Sequence, residues 1–454
     1  MPAGGLERIF PISSFHRKEV AYPEQEFYEQ ILDVYRAWDT IEKRGTIIDF
    51  DLTAGPKDYE KVMRKRKQEP TPDDRDLMVE AVGELLQRVQ EITPSSKEHQ
   101  HNLKFLSARI EASSWVARRL RGDDLNPIIY IEKTNGAKAK PASHDLLMAL
   151  KDKAIESAKQ ARMPTTDDQS FMAWRLENQL DPQTTQQLVR MAINDALVAI
   201  QSFTDEAVEL EYEINPVKRN KYFYAWSRTN YQTLAFTLDL NFHKTKIWTP
   251  GKAEELGDHE GGEHLRRMSD WRRQIKRGKM PAVIGQTVVH GPESVVEEGL
   301  ALTIAHFVPE IYKGLSPEGK FQVDASILRY VVYGNISLML NGPNRPTIKN
   351  ILEYVHEFIP WEPASEIRRQ IKWRTKDPID QVYLPSYAFG ARMFLEIIET
   401  LSERGRKQLL KDLSLRPYTP EQLMNRVAEL QNGKKNRNES KTSVTSPPNV
   451  QALA

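Results

Sequence analysis

Two histidines five residues apart, His259 and His264, with Glu260 beside the first and Gly261-Gly262 between them, constrain this chain more than any other feature. On an ideal α-helix a five-residue step leaves two side chains about 140° apart, which forbids a shared ligand. A local widening to an i→i+5 turn brings both onto one face, and Gly261-Gly262 is where the sequence can accommodate it. Two other pairings keep four-residue spacing: His259 with Glu263, or Glu260 with His264. The first discards His264. The second ties down Glu260, the residue otherwise free to act as general base. On the residues alone all three stay open, beside the plainer reading that the block decorates an exposed turn.

The chain has no cysteine, so thiolate metal sites, disulfides and cysteine nucleophiles are excluded, and any metal must sit on His and carboxylates. Hydrolytic zinc is commonly held by three protein ligands, often two His and a Glu, with a fourth position for water. The third ligand is expected at Glu298, 34 residues beyond His264 (298 − 264), within Glu297-Glu298-Gly299-Leu300-Ala301. Acids at a helix start also complement its dipole, which suits Glu293. Glu298 lies further in, where the neighbouring Gly299 permits close approach and the apolar context implies burial; a buried carboxylate needs a partner.

At these residues the sequence resembles the metallopeptidase family that includes the microtubule-associated tyrosine carboxypeptidases and bacterial proteins named for a Gln-Glu-Gly-Leu-Ala motif. The shared features are His-Glu-x-x-x-His at 259 to 264, Arg266-Arg267 just after, Glu297 to Ala301, and Arg374-Thr375-Lys376-Asp377 with Tyr383-Leu384 and Gly390 downstream. The resemblance spans roughly Tyr222 to Leu401; Glu263 stands where a small or hydroxyl residue is expected, and Pro378-Ile379-Asp380-Gln381 intervenes before the tyrosine. It extends more distantly to helical gluzincins such as carboxypeptidase Taq. It implies a mainly α, gluzincin-like helical metallopeptidase with a small β-sheet beside the active-site helix, one zinc ion on His259, His264 and Glu298, and Glu260 as base.

Developing charge on a carbonyl oxygen needs donors, for which Tyr383, Tyr387 and Arg374 are the candidates. A carboxypeptidase also needs a cation for the terminal carboxylate, and Arg374 and Lys376 are the choices. Leu238-Asp239-Leu240-Asn241 is a candidate edge strand for an extended peptide, which makes Asn241 a substrate-binding candidate, although an ordinary packed strand is the commoner outcome. Asp258, Glu263 and Glu297 are expected to support the ligands. His243 and His290 read as ordinary satisfied histidines.

Around this block, residues 24–203 carry helical periodicity, with breaks at Thr53-Ala54-Gly55-Pro56, Glu69 to Pro72 and Gly122 to Pro141. Between Lys221 and Trp248 β-branched and aromatic residues predict two or three strands. Helices are expected at 253–268, 295–307, 322–340, 348–358, 387–403 and 420–430. The division so implied is a flexible N-terminus (1–20), a helical N-terminal domain (21–210), a zinc-binding catalytic domain (211–430) and a disordered tail (431–454). Lys plus Arg total 64 against 63 Asp plus Glu, which gives no field to draw nucleic acid or an anionic membrane, and the basic run from Arg266 to Lys279 reads as a solvated helix face. No run of about 18 apolar residues occurs, so a cytoplasmic protein is expected, and a peptide or protein C-terminus is the substrate that the resemblance implies. A hydrolase of non-peptide amides or esters, and a helical binding protein with a relic site, are the competing readings; oligomeric state is not encoded legibly.

Overall fold

The computed structural model describes residues 24–42, 47–52, 70–219, 224–229, 235–243 and 246–442. The expected flexible N-terminus, the break at Thr53 to Pro56, Tyr222-Phe223 and positions 443–454 lie outside them. The protein is mainly α-helical with two small sheets.

The first half supplies α1 (Gln25–Glu42), α2 (Pro72–Glu91), α3 (Lys97–Arg121), α4 (Pro127–Asn135), α5 (His144–Gln160), α6 (Asp168–Glu177) and α7 (Pro182–Thr204). Their ends are written in the sequence. Thr71 and Asp74 form a capping box at the start of α2, and Gly122 closes α3 at φ 107°. The stretch 122–141 holds a helix after all, because Asn126 caps α4, Pro127 opens it and Gly136 ends it: the breakers mark its two boundaries. A strand, β1 (Ile48–Asp51), interrupts the helical half.

Three strands follow: β2 (Tyr212–Val217), β3 (Ala225–Thr229) and β4 (Phe236–Asn241), in the order β2-β4-β3. Strand β4 is therefore central, parallel to β2 and antiparallel to β3, and every one of its residues is buried. The candidate edge strand at Leu238 to Asn241 is thus the packed strand that was the commoner expectation. A second sheet pairs β1 with β5 (Gln286–Val288).

From Pro250 to Lys276 one helix runs without a break, as α8 (Pro250–Gly257), a π-helical segment (Asp258–Leu265) and α9 (Arg266–Lys276). Downstream lie α10 (Glu293–Phe307), α11 (Pro309–Gly314), α12 (Pro317–Asn341), α13 (Ile348–Phe358), α14 (Ala364–Lys376), α15 (Pro378–Thr400), α16 (Glu403–Leu415) and α17 (Pro420–Thr442). Helix α15 starts nine residues before the expected Tyr387 (387 − 378), because Asp377 caps it and Pro385 is tolerated within it. The expected tail begins inside α17.

Two hydrophobic cores hold these elements, and each draws on both sides of residue 210. One joins Leu147, Ile200 and Phe203 to Leu300, Phe321, Val331 and Phe394; the other joins Tyr35, Trp38, Phe105 and Ile193 to Leu238, Leu265, Met268 and Val295. Helix α10 and the π-helical segment contribute to the wall between them. Truncating a fully buried residue such as Leu265 to Ala is expected to cost about 2–5 kcal/mol.

Two close approaches need glycine. A Cβ at Gly299 would fall 2.5 Å from Gly390 Cα, and one at Gly390 would fall 2.6 Å from Gly299 Cα, so α10 and α15 cross backbone to backbone beside Glu298. A Cβ at Gly261 would fall 2.6 Å from Ile193 Cγ1 on α7, so this glycine lets the π-helical turn press on α7. Neither Gly261 nor Gly262 has a positive φ; the demand is for space.

Candidate metal centre

The π-helical segment solves the spacing problem. An i→i+5 turn places His259 and His264 on one face, and their Nε2 atoms approach to 3.3 Å. Glu298, from the buried second turn of α10, sends Oε2 to 3.5 Å from His259 Nε2 and 3.4 Å from His264 Nε2. These three donors form the one group of His, Asp and Glu residues with metal-site spacing among the described residues. Ligands about 2.0–2.1 Å from a tetrahedral ion stand roughly 3.3–3.4 Å from one another, and the observed triangle has that size.

The donors are short of protein partners. Glu298 Oε2 has only the two imidazoles beside it, and His264 Nδ1 is buried without a hydrogen bond. Burial alone would lower the His264 pKa, but the charge and hydrogen bonding of Glu298 raise it to about 10. Burial would likewise raise the Glu298 pKa, yet His264 and His259 hold it well below the usual carboxylate range. His259 with Glu263, or Glu260 with His264, is not the pair the fold brings together.

Glu263 and Glu297 have another role. Arg267, buried from solvent, donates to both at 2.5 Å, and Arg266 donates to Glu263 at 3.1 Å and to Asp270 at 2.9 Å. This ion cluster bolts the π-helical turn to α10, so the start of the basic run is buried rather than solvated. Breaking such a cluster on one side typically costs about 3–5 kcal/mol. Asp258 is buried too, and its Oδ2 has no hydrogen-bond partner. Burial, then the charges of Glu255, Glu254 and Asp195, keep its carboxyl well above the ordinary range.

Glu260 is buried and accepts a short hydrogen bond from Ser227 Oγ on β3, which places the small sheet directly beside the helix that carries the histidines. Tyr383 Oη donates to Glu298 Oε1 at 2.6 Å and lies 2.9 Å from Tyr387 Oη. The Tyr387 ring stacks on Tyr330, at 4.3 Å and 9°, and runs nearly parallel to the His259 ring, with centroids 6.5 Å apart and planes at 8°. Four residues apart on α15, both tyrosines share a face. Burial, then the charge of Glu298, keeps both hydroxyls protonated.

The remaining candidates lie elsewhere. Arg374 is buried, but its guanidinium donates to the Tyr333 carbonyl at 3.2 Å and to Gln370, and stacks over the Tyr333 ring; burial, first among its surroundings, lowers its pKa to about 10. Lys376 is exposed at the end of α14. The Asn241 side chain braces a loop, donating to the Arg219 carbonyl at 2.9 Å and accepting from the Arg219 and His243 amides. His290 is a core histidine, 3.0 Å from Ser113 Oγ, its pKa lowered to about 3 by burial and then by Arg109.

Four residues at the centre were not anticipated: Asp49, Trp226, Ser227 and Tyr330. Asp49 on β1 accepts from Trp226 Nε1 at 3.3 Å, and its charge is felt by His264, Glu297 and Glu298; burial, the largest influence, raises its pKa to about 7. The period-two alternation of Ile48-Asp49-Phe50-Asp51 was the available signal for that strand. Two cavities of about 550 and 620 Å³ open elsewhere on the surface, and none of the metal-site residues lines them.

No protein-family model and no curated protein matches the chain. Among solved structures it is similar to a "putative lipoprotein" from Colwellia psychrerythraea, at 11% identity and TM-score 0.49 over 78% of this chain and 66% of that one. It is also similar to a "putative lipoprotein of unknown function" from Shewanella oneidensis, at 14% identity and TM-score 0.42 over 90% and 88%. Among the described residues, no helix is long and apolar enough to cross a membrane.

Proposed function

We propose that this protein is a zinc-dependent hydrolase of metallopeptidase type, with His259, His264 and Glu298 as ligands and Glu260 as general base. One observation carries the reading: two buried donors, His264 and Glu298, and the half-buried His259 converge to mutual distances of 3.3 to 3.5 Å, on a helix widened at just the turn that makes this possible. A bound zinc would polarise a scissile carbonyl and acidify a water beside it.

The chain's own groups complete the chemistry. Glu260, steered by Ser227, accepts the proton of the attacking water and returns it to the leaving amine. Tyr387 offers a hydroxyl to the developing oxyanion. The buried ion cluster around Arg267 holds the two ligand-bearing elements together. Arg374 is withdrawn as carboxylate clamp, because its guanidinium is committed to Tyr333 and Gln370. The peptide C-terminus stays the substrate end that the sequence resemblance suggests, and the cytoplasm the proposed location.

Metal analysis tests the premise. Gently purified protein should carry close to one equivalent of zinc; less than about a tenth of an equivalent of any divalent transition metal, before and after reloading, would sink the reading. Peptides with free and amidated C-termini test the end cleaved. Equal cleavage of both would remove the carboxypeptidase assignment and keep the hydrolase.

A further inference from the structure

We infer that Tyr383 is a positioning residue that holds Glu298 as a single-oxygen ligand, leaving Tyr387 as the tyrosine whose proton can reach substrate. The inference rests on the metallopeptidase reading above.

Proton inventory separates the two tyrosines. A phenol has one proton, and an ionised carboxylate only accepts. At 2.6 Å the Tyr383 proton goes to Glu298 Oε1, so the 2.9 Å contact between the hydroxyls is a donation from Tyr387 to the Tyr383 oxygen. A chain therefore runs from Tyr387 to Tyr383 to Glu298.

Its two links differ in what they can release. The link to Glu298 is charge-assisted, and it engages Oε1 while Oε2 faces both imidazoles. This division prevents the carboxylate from turning to present both oxygens. The link between the hydroxyls is neutral and weaker, so Tyr387 can rotate its O–H away at small cost. Its ring is held by the stack on Tyr330, at 4.3 Å. One tyrosine orients a ligand; the other is parked on it, with its proton ready to turn.

The test uses the full chain and two variants, Y383F and Y387F, each of which keeps its ring. Zinc affinity is measured by chelator competition, the visible spectrum is recorded on the cobalt-loaded proteins, and kcat is taken on a peptide that the wild type cleaves. Y383F should bind zinc about 10–100-fold more weakly and shift the cobalt spectrum as Glu298 is freed to use both oxygens. Y387F should keep affinity within about twofold and an unchanged spectrum, and lose about 10²–10³-fold in kcat. Near-ultraviolet circular dichroism of the metal-free variants checks that both fold. Y383F with wild-type affinity and spectrum would overturn the inference and leave the hydrolase reading standing, and so would Y387F weakening the metal as much as Y383F. A wild type that takes up neither zinc nor cobalt would overturn both.

Discussion

Two buried polar clusters stand side by side on the same two elements, and their contrast is instructive. His264 and Glu298 belong to the triad, while their chain neighbours Glu263 and Glu297 belong to the ion cluster around Arg267. In the ion cluster Glu263 and Glu297 are both claimed by Arg267 at hydrogen-bond distance. In the triad, Glu298 Oε2 has only the two imidazoles beside it, and His264 Nδ1 has no hydrogen bond. Paired opposite charges stabilise a fold, whereas three donors converging on one point suit a cation. Adjacent residues on one turn thus divide into scaffold and site.

The largest expected effects probe the site. Glu260→Gln should keep zinc, measured by elemental analysis, and lose at least about 10²-fold in turnover of a cleavable peptide, since it removes the base without touching a ligand. His264→Ala should lose the metal while its metal-free form unfolds at nearly the wild-type denaturant midpoint. Normal zinc binding by His264→Ala would mean that the ligand set is wrong.

The scaffold should respond in the opposite sense. Arg267→Met strands Glu263 and Glu297, and urea unfolding should show a loss of about 3–5 kcal/mol. If metal-free Arg267→Met is as stable as wild type while His264→Ala is not, the division is reversed. Gly299→Ala forces a Cβ into Gly390 and should cost about 1–3 kcal/mol or more, with zinc affinity falling alongside because Glu298 moves with α10.

The smallest effect is a pH dependence away from both clusters. His290 has its pKa depressed to about 3 in the folded state, against about 6.5 unfolded. The unfolded chain therefore binds the proton first, so this contribution is present in full above pH 6.5 and is lost as pH falls toward 3. Between pH 7 and pH 5 the wild type should lose about 2 kcal/mol that His290→Asn does not, read from urea midpoints at the two values. Equal losses in the two proteins would remove His290 as the cause.

Much of this was legible in the chain. Helix ends at Thr71, Gly122 and Thr347 are local chemistry, and the mainly α class follows from periodicity. The ligand block showed itself because five-residue spacing is wrong for an α-helix, and the observed π-helix is the physical answer to that mismatch. The carboxylate beside Gly299 was readable as a buried group, since a small neighbour and apolar surroundings imply close packing.

Tertiary structure alone decided the rest. Asp49 and Ser227 reach the centre from strands 215 and 37 residues from His264 in sequence (264 − 49, 264 − 227), pairings that no local pattern encodes. Arg374 looked like a clamp because a basic motif carries no record of which way its side chain turns; packing turned it onto Tyr333. Glu263 and Glu297 were expected to support the ligands, and only the position of Arg267 between two helices showed through which partner they do so. Sequence by itself determined which residue types could hold an ion and that the helix bearing them had to be irregular, because backbone geometry is local. Which carboxylate joins the two histidines and which face a guanidinium was settled by the crossing of α10 against the widened turn, because burial forces each charge to find its partner across space.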